Sequence, residues 1–187
     1  MQRILFILLL ASSLHAQQFT TWSLNENLPQ SQVFAMCEDA KGYLWLGTQG
    51  GGVCRFDGIR FDVFTTTEGL PSNYIQAVYE DHRGRLWVGT NGGLCFFDGK
   101  RFQNLPFPAA AIPTVYGFLQ TDNDRVLVGT SDGLWQFNFQ TQKLNRLSVD
   151  VSVDHEDVYV LHASHNAIWM GAQTGLWRLS EGKKAVN

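Results

Sequence analysis

The acidic pairs Glu38-Asp39 and Glu80-Asp81 and the five histidines are the residues of this chain with types suited to chemistry. Two carboxylates serve glycoside or acid–base chemistry only when they converge on one substrate at a defined separation. These pairs stand 42 residues apart, and each is followed at the same offsets by a glycine (Gly42, Gly84) and a tryptophan (Trp45, Trp87). A residue that recurs with a repeat serves every copy of it, so the spacing predicts turn-capping carboxylates, not a catalytic pair. His82 falls in a polar turn and is expected to face solvent. His155, His162 and His165 cluster, but no Cys or carboxylate spacing supports a metal site there. No Ser-His-Asp arrangement is evident. The run Gly50-Gly51-Gly52 lies between two strand-like segments and reads as a turn, with no helix behind it to form a phosphate cradle. No catalytic residue, metal or cofactor is therefore expected.

Composition supports the same direction. The 187 residues carry a formal net charge of -3, with 44% hydrophobic and 17% charged residues. That is too apolar for a disordered chain, and the charge has the wrong sign for a basic nucleic-acid surface. Eighteen glycines and 13% aromatic residues predict many short strands and tight turns. Three cysteines are too few for a disulfide scaffold, and Cys54 and Cys95 read as small buried hydrophobes.

The chain opens with Arg3 and the apolar run Ile4 to Ala11, followed by the small residue Ala16. The run is far shorter than the ~20 residues that span a bilayer. Residues 1–16 are therefore expected to be a cleaved export signal and residues 17–187 a periplasmic or secreted chain.

An internal repeat organises the remainder. Leu44-Trp45-Leu46-Gly47-Thr48 recurs as Leu86-Trp87-Val88-Gly89-Thr90, as Val126-Leu127-Val128-Gly129-Thr130 and as Ile168-Trp169-Met170-Gly171-Ala172. The glycines stand 42, 40 and 42 residues apart. Each copy reads as four short antiparallel strands: an apolar first strand (Val33 to Cys37, Tyr74 to Tyr79), the Trp-Gly-Thr strand, a Gly-Leu/Val-led third strand, and a fourth such as Arg60 to Phe64. The first strand of the first copy, Val33 to Cys37, is apolar at every position, which predicts burial on both faces. A four-stranded unit of this length, buried between neighbours of its own kind, is a propeller blade. The expected fold is all-β, a β-propeller of about four four-stranded blades near 28–64, 70–105, 112–147 and 153–187. Trp45, Gly47, Trp87, Gly89, Gly129, Trp169 and Gly171 are its structural repeat positions, the tryptophans serving inter-blade packing.

The pattern Glu-Asp-x-x-Gly-x-Leu-Trp-(Leu/Val)-Gly-Thr-x-x-Gly-(Leu/Val), at Glu38 to Val53 and Glu80 to Leu94 with its Leu-Pro lead-in, resembles the two-component regulator propeller repeat. The third copy departs from it at Leu127, and neither of the last two has the Glu-Asp pair. The resemblance implies a periplasmic sensor region of a hybrid two-component histidine kinase, in which ligand binding outside the membrane rearranges a dimer and controls a kinase inside. Family sensors continue through more repeats, an immunoglobulin-like domain, a membrane helix and kinase modules. The expectation is thus an input portion with no kinase activity of its own, attached to a membrane only through a longer parent.

Four blades can close a ring or form an open arc. Phe19 to Ser23 reads as an outer strand that could complete the fourth blade. The loops entering each first strand differ between copies while the frame repeats, which suits a binding surface. Gln32, Asn73 and Tyr116 are the candidate binding residues, with amide and aromatic groups suited to an oligosaccharide. A homodimer or the remaining sensor domains are the other expected partners. The alternatives are a protein-interaction scaffold, a non-functional remnant, and a propeller lyase or glycosidase.

Overall fold

The computed structural model describes residues 19–108, 111–122, 124–148, 154–164 and 167–180. The expected export segment 1–16 lies outside them. Four antiparallel sheets follow one another along the chain. The first comprises β1 (Val33–Glu38), β2 (Leu44–Thr48), β3 (Val53–Phe56) and β4 (Phe61–Phe64). The second comprises β5 (Ile75–Glu80), β6 (Leu86–Thr90), β7 (Gly93–Phe97) and β8 (Phe102–Leu105). The third comprises β9 (Val115–Asp122), β10 (Arg125–Thr130), β11 (Gly133–Asn138) and β12 (Lys143–Arg146). The fourth has β13 (Val158–Ser164), β14 (Ala167–Ala172) and β15 (Gly175–Ser180) among the described residues. Residues 181–187 lie outside them.

The first strands pack side by side, β1 against β5, β5 against β9 and β9 against β13. They form the inner edge of a β-propeller, with each sheet radiating outward as a blade. The core lies between blades. Trp45 and Val53 of the first blade meet Ile75, Val78 and Val88 of the second. Trp87 and Leu94 meet Val126, Val128 and Phe137 of the third. Leu127 and Leu134 meet Val158, Met170 and Trp177 of the fourth. Each such side chain, fully buried, contributes ~1.5–3 kcal/mol.

The repeated glycine sets how closely blades approach. A Cβ at Gly47 would stand 2.6 Å from Ile75 Cγ2, and one at Gly89 2.7 Å from Val115 Cγ1. Only glycine lets the β-branched residue at the head of the next inner strand rest on the backbone.

No comparable packing joins β13 to β1 among the described residues, so they form an arc. This corrects the expected burial of the first strand on both faces. Residues of β1 alternate, with Phe34 at 51% and Met36 at 68% exposure, whereas in β5 Ile75, Ala77 and Val78 are buried and no residue is exposed. The composition of β1 suits a blade on either side, and here only one face has a neighbour. The far end behaves likewise. Val160 and Leu176 are exposed, and Trp169 is only half-buried beside Arg178 because no blade among the described residues stands against it.

Residues 19–23 form no strand, contrary to the sequence expectation. Ser23 instead caps a 3-10 turn over Leu24–Glu26, accepting from the Asn25 amide at 3.2 Å while Glu26 accepts from the Ser23 amide at 2.7 Å. The chain then reverses at Asn27, with φ 67°. Thr65 and Glu68 repeat this device before the second blade, with Gly69 at φ 100°. Both turns place a leucine, Leu28 or Leu70, in the core. Trp22 lies edge-on against Phe56 at 5.3 Å.

Candidate functional site

The acidic pairs divide into two structural roles. The Asp39 carboxylate accepts from the Lys41 and Tyr43 amides and, at 2.8 Å, from the Trp45 indole. Burial alone would raise its pKa, but these bonds outweigh it and hold the group below the ordinary carboxylate value. Asp81 repeats the arrangement with the amides of Arg83 and Arg85 and the indole of Trp87, at 2.7 Å. Glu80 does not cap its own turn, as the sequence reading expected. Its carboxylate accepts from the Ala40 amide of the preceding blade at 2.8 Å. Gln120, its counterpart in the third blade, accepts from His82 N at 2.9 Å. These carboxylates are committed to the frame.

Cys54 and Cys95 are buried and unpaired, and burial pushes the Cys54 thiol up to about 12. No three metal-binding side chains converge among the described residues. His165 lies outside them. His82 packs edge-on against Phe139 at 6.0 Å.

A different surface forms where the lead-in segments and the loops between second and third strands meet. Backbone bonds join the two at each blade. The Gln49, Asn91, Ser131 and Gln173 amides donate to the carbonyls of Gln32, Tyr74, Thr114 and Asp157 at 2.9–3.1 Å. Two residues further on, every inner strand carries a register shift that leaves one residue out of the ladder. Those residues are Phe34, Gln76, Tyr116 and Tyr159. Bulges re-aim side chains, and here they do so at the inner edge of each blade. The Tyr116 and Tyr159 rings meet across neighbouring blades, 5.1 Å between centroids at 52°. Tyr159 donates to the Asp157 carboxylate at 2.8 Å, which raises the phenol above its ordinary pKa, and burial raises that of Tyr116. Gln76 donates its amide to Asn91 Oδ1 at 2.8 Å. The Tyr74 ring lies against Gly50. The result is a mouth of half-exposed aromatic rings and side-chain amides.

The three sequence candidates are distributed unequally over this mouth. Tyr116 is at its centre. Gln32 is exposed at its rim, beside Phe34. Asn73 serves the frame, its Oδ1 accepting from Thr66 N at 2.9 Å and its carbonyl from the Gly50 and Gly52 amides. Phe34, Gln76, Asp157 and Tyr159 escaped sequence reasoning. Carrying Tyr116 through the forty-residue period would have found three of them, since the bulge repeats with the blade.

A cavity of about 460 Å³ lies apart from the mouth, beside Trp135 and between Pro108 and His155. Its polar groups hold one another. Arg146 stacks on Trp135 at 4.9 Å, pairs with the Asp132 carboxylate and donates to the Asp154 carbonyl. His155 Nδ1 lies 3.0 Å from Asp132. This cluster clasps the third blade to the lead-in of the fourth.

Fold and mouth define the class: a propeller arc with a rigid repeated frame and a variable loop surface. Residues 27–50 and 69–92 match the family model described as Two component regulator propeller, so the first two blades carry repeats of that type. No curated protein matches the chain. Among solved structures, the extracellular domain of the hybrid two component system BT3049 from B. thetaiotaomicron is similar at TM-score 0.78 and 20% identity, over 90% of this chain and 26% of that one. The corresponding domain of BT4673 from B. thetaiotaomicron gives 0.74 and 22%, over 83% of this chain and 22% of that one. Virginiamycin B lyase from Staphylococcus aureus gives 0.67 and 12%, over 85% and 56%. The chain spans about a quarter of the two sensor domains. At these identities the likeness is one of fold, and the lyase shares it.

Proposed function

We propose that this chain is a ligand-recognition part of an extracytoplasmic sensor, the input side of a hybrid two-component system, and that its mouth takes a glycan. One observation carries the reading. The frame residues repeat from blade to blade, while the four bulge positions read Phe34, Gln76, Tyr116 and Tyr159. Aromatic faces stack on the apolar faces of sugar rings, and amides satisfy the hydroxyls at their edges. The match to two-component regulator propeller repeats supports a sensor over an enzyme, and so does the commitment of Asp39, Asp81 and Glu80 to the frame. Export by the segment 1–16 and a kinase in a partner region complete the proposal.

Titration of the chain against a panel of oligosaccharides tests it. Saturable binding that weakens about tenfold in Tyr159→Ala, or about 1.4 kcal/mol, supports the mouth as the site. Saturable binding unmoved by both Tyr159→Ala and Tyr116→Ala refutes it, as does turnover of a glycan. A scaffold role is the second reading, favoured by the exposed Met36 and Leu176 at the two ends of the arc.

A further inference from the structure

The two loop faces of the arc differ in charge, and among the described residues the segments that form the mouth face contain no cation. Its lead-in segments 28–32, 70–74, 107–108, 111–114, 147–148 and 154–157 contain no Lys or Arg. The loops 49–52, 91–92, 131–132 and 173–174 that meet them contain none either. The basic residues gather on the turns at the opposite loop face, among them Lys41, Arg60, Arg83, Lys100, Arg101 and Arg125. The Arg146 guanidinium, which reaches the mouth face from the outer strand of the third blade, is committed to Asp132 and to the Asp154 carbonyl. The fourth blade adds acids: Asp157, holding the Tyr159 hydroxyl, and Glu156, accepting from Thr174 Oγ1 at 2.5 Å.

We infer that the mouth selects uncharged saccharides and rejects those bearing carboxylate or sulfate. The inference rests on the glycan reading above and fixes its substrate class. Recognition of acidic sugars relies on Arg and Lys, whose fork or ammonium matches the anion. The mouth offers amides, hydroxyls and rings, which bind neutral hydroxyls without that preference. An anionic ring stacked on Tyr159 would lie beside the Asp157 carboxylate with no counter-charge. Like charges in such an arrangement repel and cannot be relieved by a neighbouring cation here.

The test is a titration of the chain at pH 8 with cellohexaose and xylohexaose against hexagalacturonate and a chondroitin sulfate hexasaccharide. The expected result is at least a tenfold preference for a neutral hexasaccharide at ~0.01 M salt, narrowing at ~0.3 M as screening shortens the reach of Asp157 and Glu156. Asp157→Lys should narrow the preference at low salt by raising affinity for the acidic probes. Equal or tighter binding of either acidic probe to the unaltered chain overturns the charge selection while leaving the glycan site intact. Absence of binding by all four probes, in a chain whose thermal unfolding is cooperative, overturns both.

Discussion

Replacing Asp81 by alanine strips three donors of one acceptor: the Arg83 and Arg85 amides and the buried Trp87 indole. The two amides belong to a surface turn and rehydrate. The indole lies in a blade interface where Trp87 is fully buried, so no water replaces the carboxylate. A hydrogen bond to a charged acceptor contributes about 1.5–3 kcal/mol, and stranding a buried donor costs a similar amount. Asp81→Ala is expected to cost about 3 kcal/mol. The third blade suggests the companion experiment. It has Thr121 and Leu127 at the equivalent positions, so the acid and the indole are absent together, and Leu127 is well buried. Trp87→Leu should cost about 2–3 kcal/mol through lost volume. The double variant should then cost less than the sum by about 2 kcal/mol, because leucine has no donor to strand. Urea unfolding of the four proteins measures the cycle. A coupling below about 0.5 kcal/mol would show that the pair acts independently and would refute the assigned role of Asp81.

Three further outcomes are expected. Gly89→Ala should lower the unfolding midpoint sharply, by about 2–3 kcal/mol, because its Cβ would collide with the Val115 carbonyl at 2.7 Å; Gly99→Ala, with nothing within 4 Å but a φ of 95°, should cost about 1 kcal/mol. Glu80→Ala should cost about 0.5–1.5 kcal/mol by removing the acceptor of the Ala40 amide, whereas Glu38→Ala, at the same repeat position on the free face, should change stability by less than 0.5 kcal/mol in the same denaturation assay. Acidification should destabilise the fold: Asp39, Asp122 and Asp132 are held below their ordinary pKa, and Asp98 is held at about 2 by backbone amides and Gln103. A depressed carboxyl stabilises the fold above its unfolded value of about 4, and that contribution is lost as pH falls through the folded value. The midpoint should therefore be flat from ~pH 7 to ~pH 5 and fall between ~pH 4 and ~pH 2; a midpoint that rises on acidification would contradict this.

The sequence alone determined the blade. Each blade is closed by local bonds within about forty residues, so its signals lie in one short window: Asp39 four residues before Tyr43, Trp45 six after Asp39, Gly47 at the close-contact position. The same locality made the Ser23–Glu26 and Thr65–Glu68 capping boxes legible in principle, since a Ser or Thr three residues ahead of Glu is a sequence signal for a capped turn. What only the tertiary structure decided depends on which blade stands beside which. The side chains of Phe34 and Met36 read as buried because their chemistry suits a neighbour, but exposure is a property of the neighbour. Glu38 and Glu80 are alike in local context, yet among the described residues only Glu80 has a preceding blade whose turn donates to it. The mouth is of the same kind. Tyr116 and Tyr159 are forty-three residues apart and meet only because two inner strands pack side by side and each leaves one residue out of its ladder. A bulge leaves no mark on composition, since it is set by how the strand is paired, and pairing belongs to the sheet.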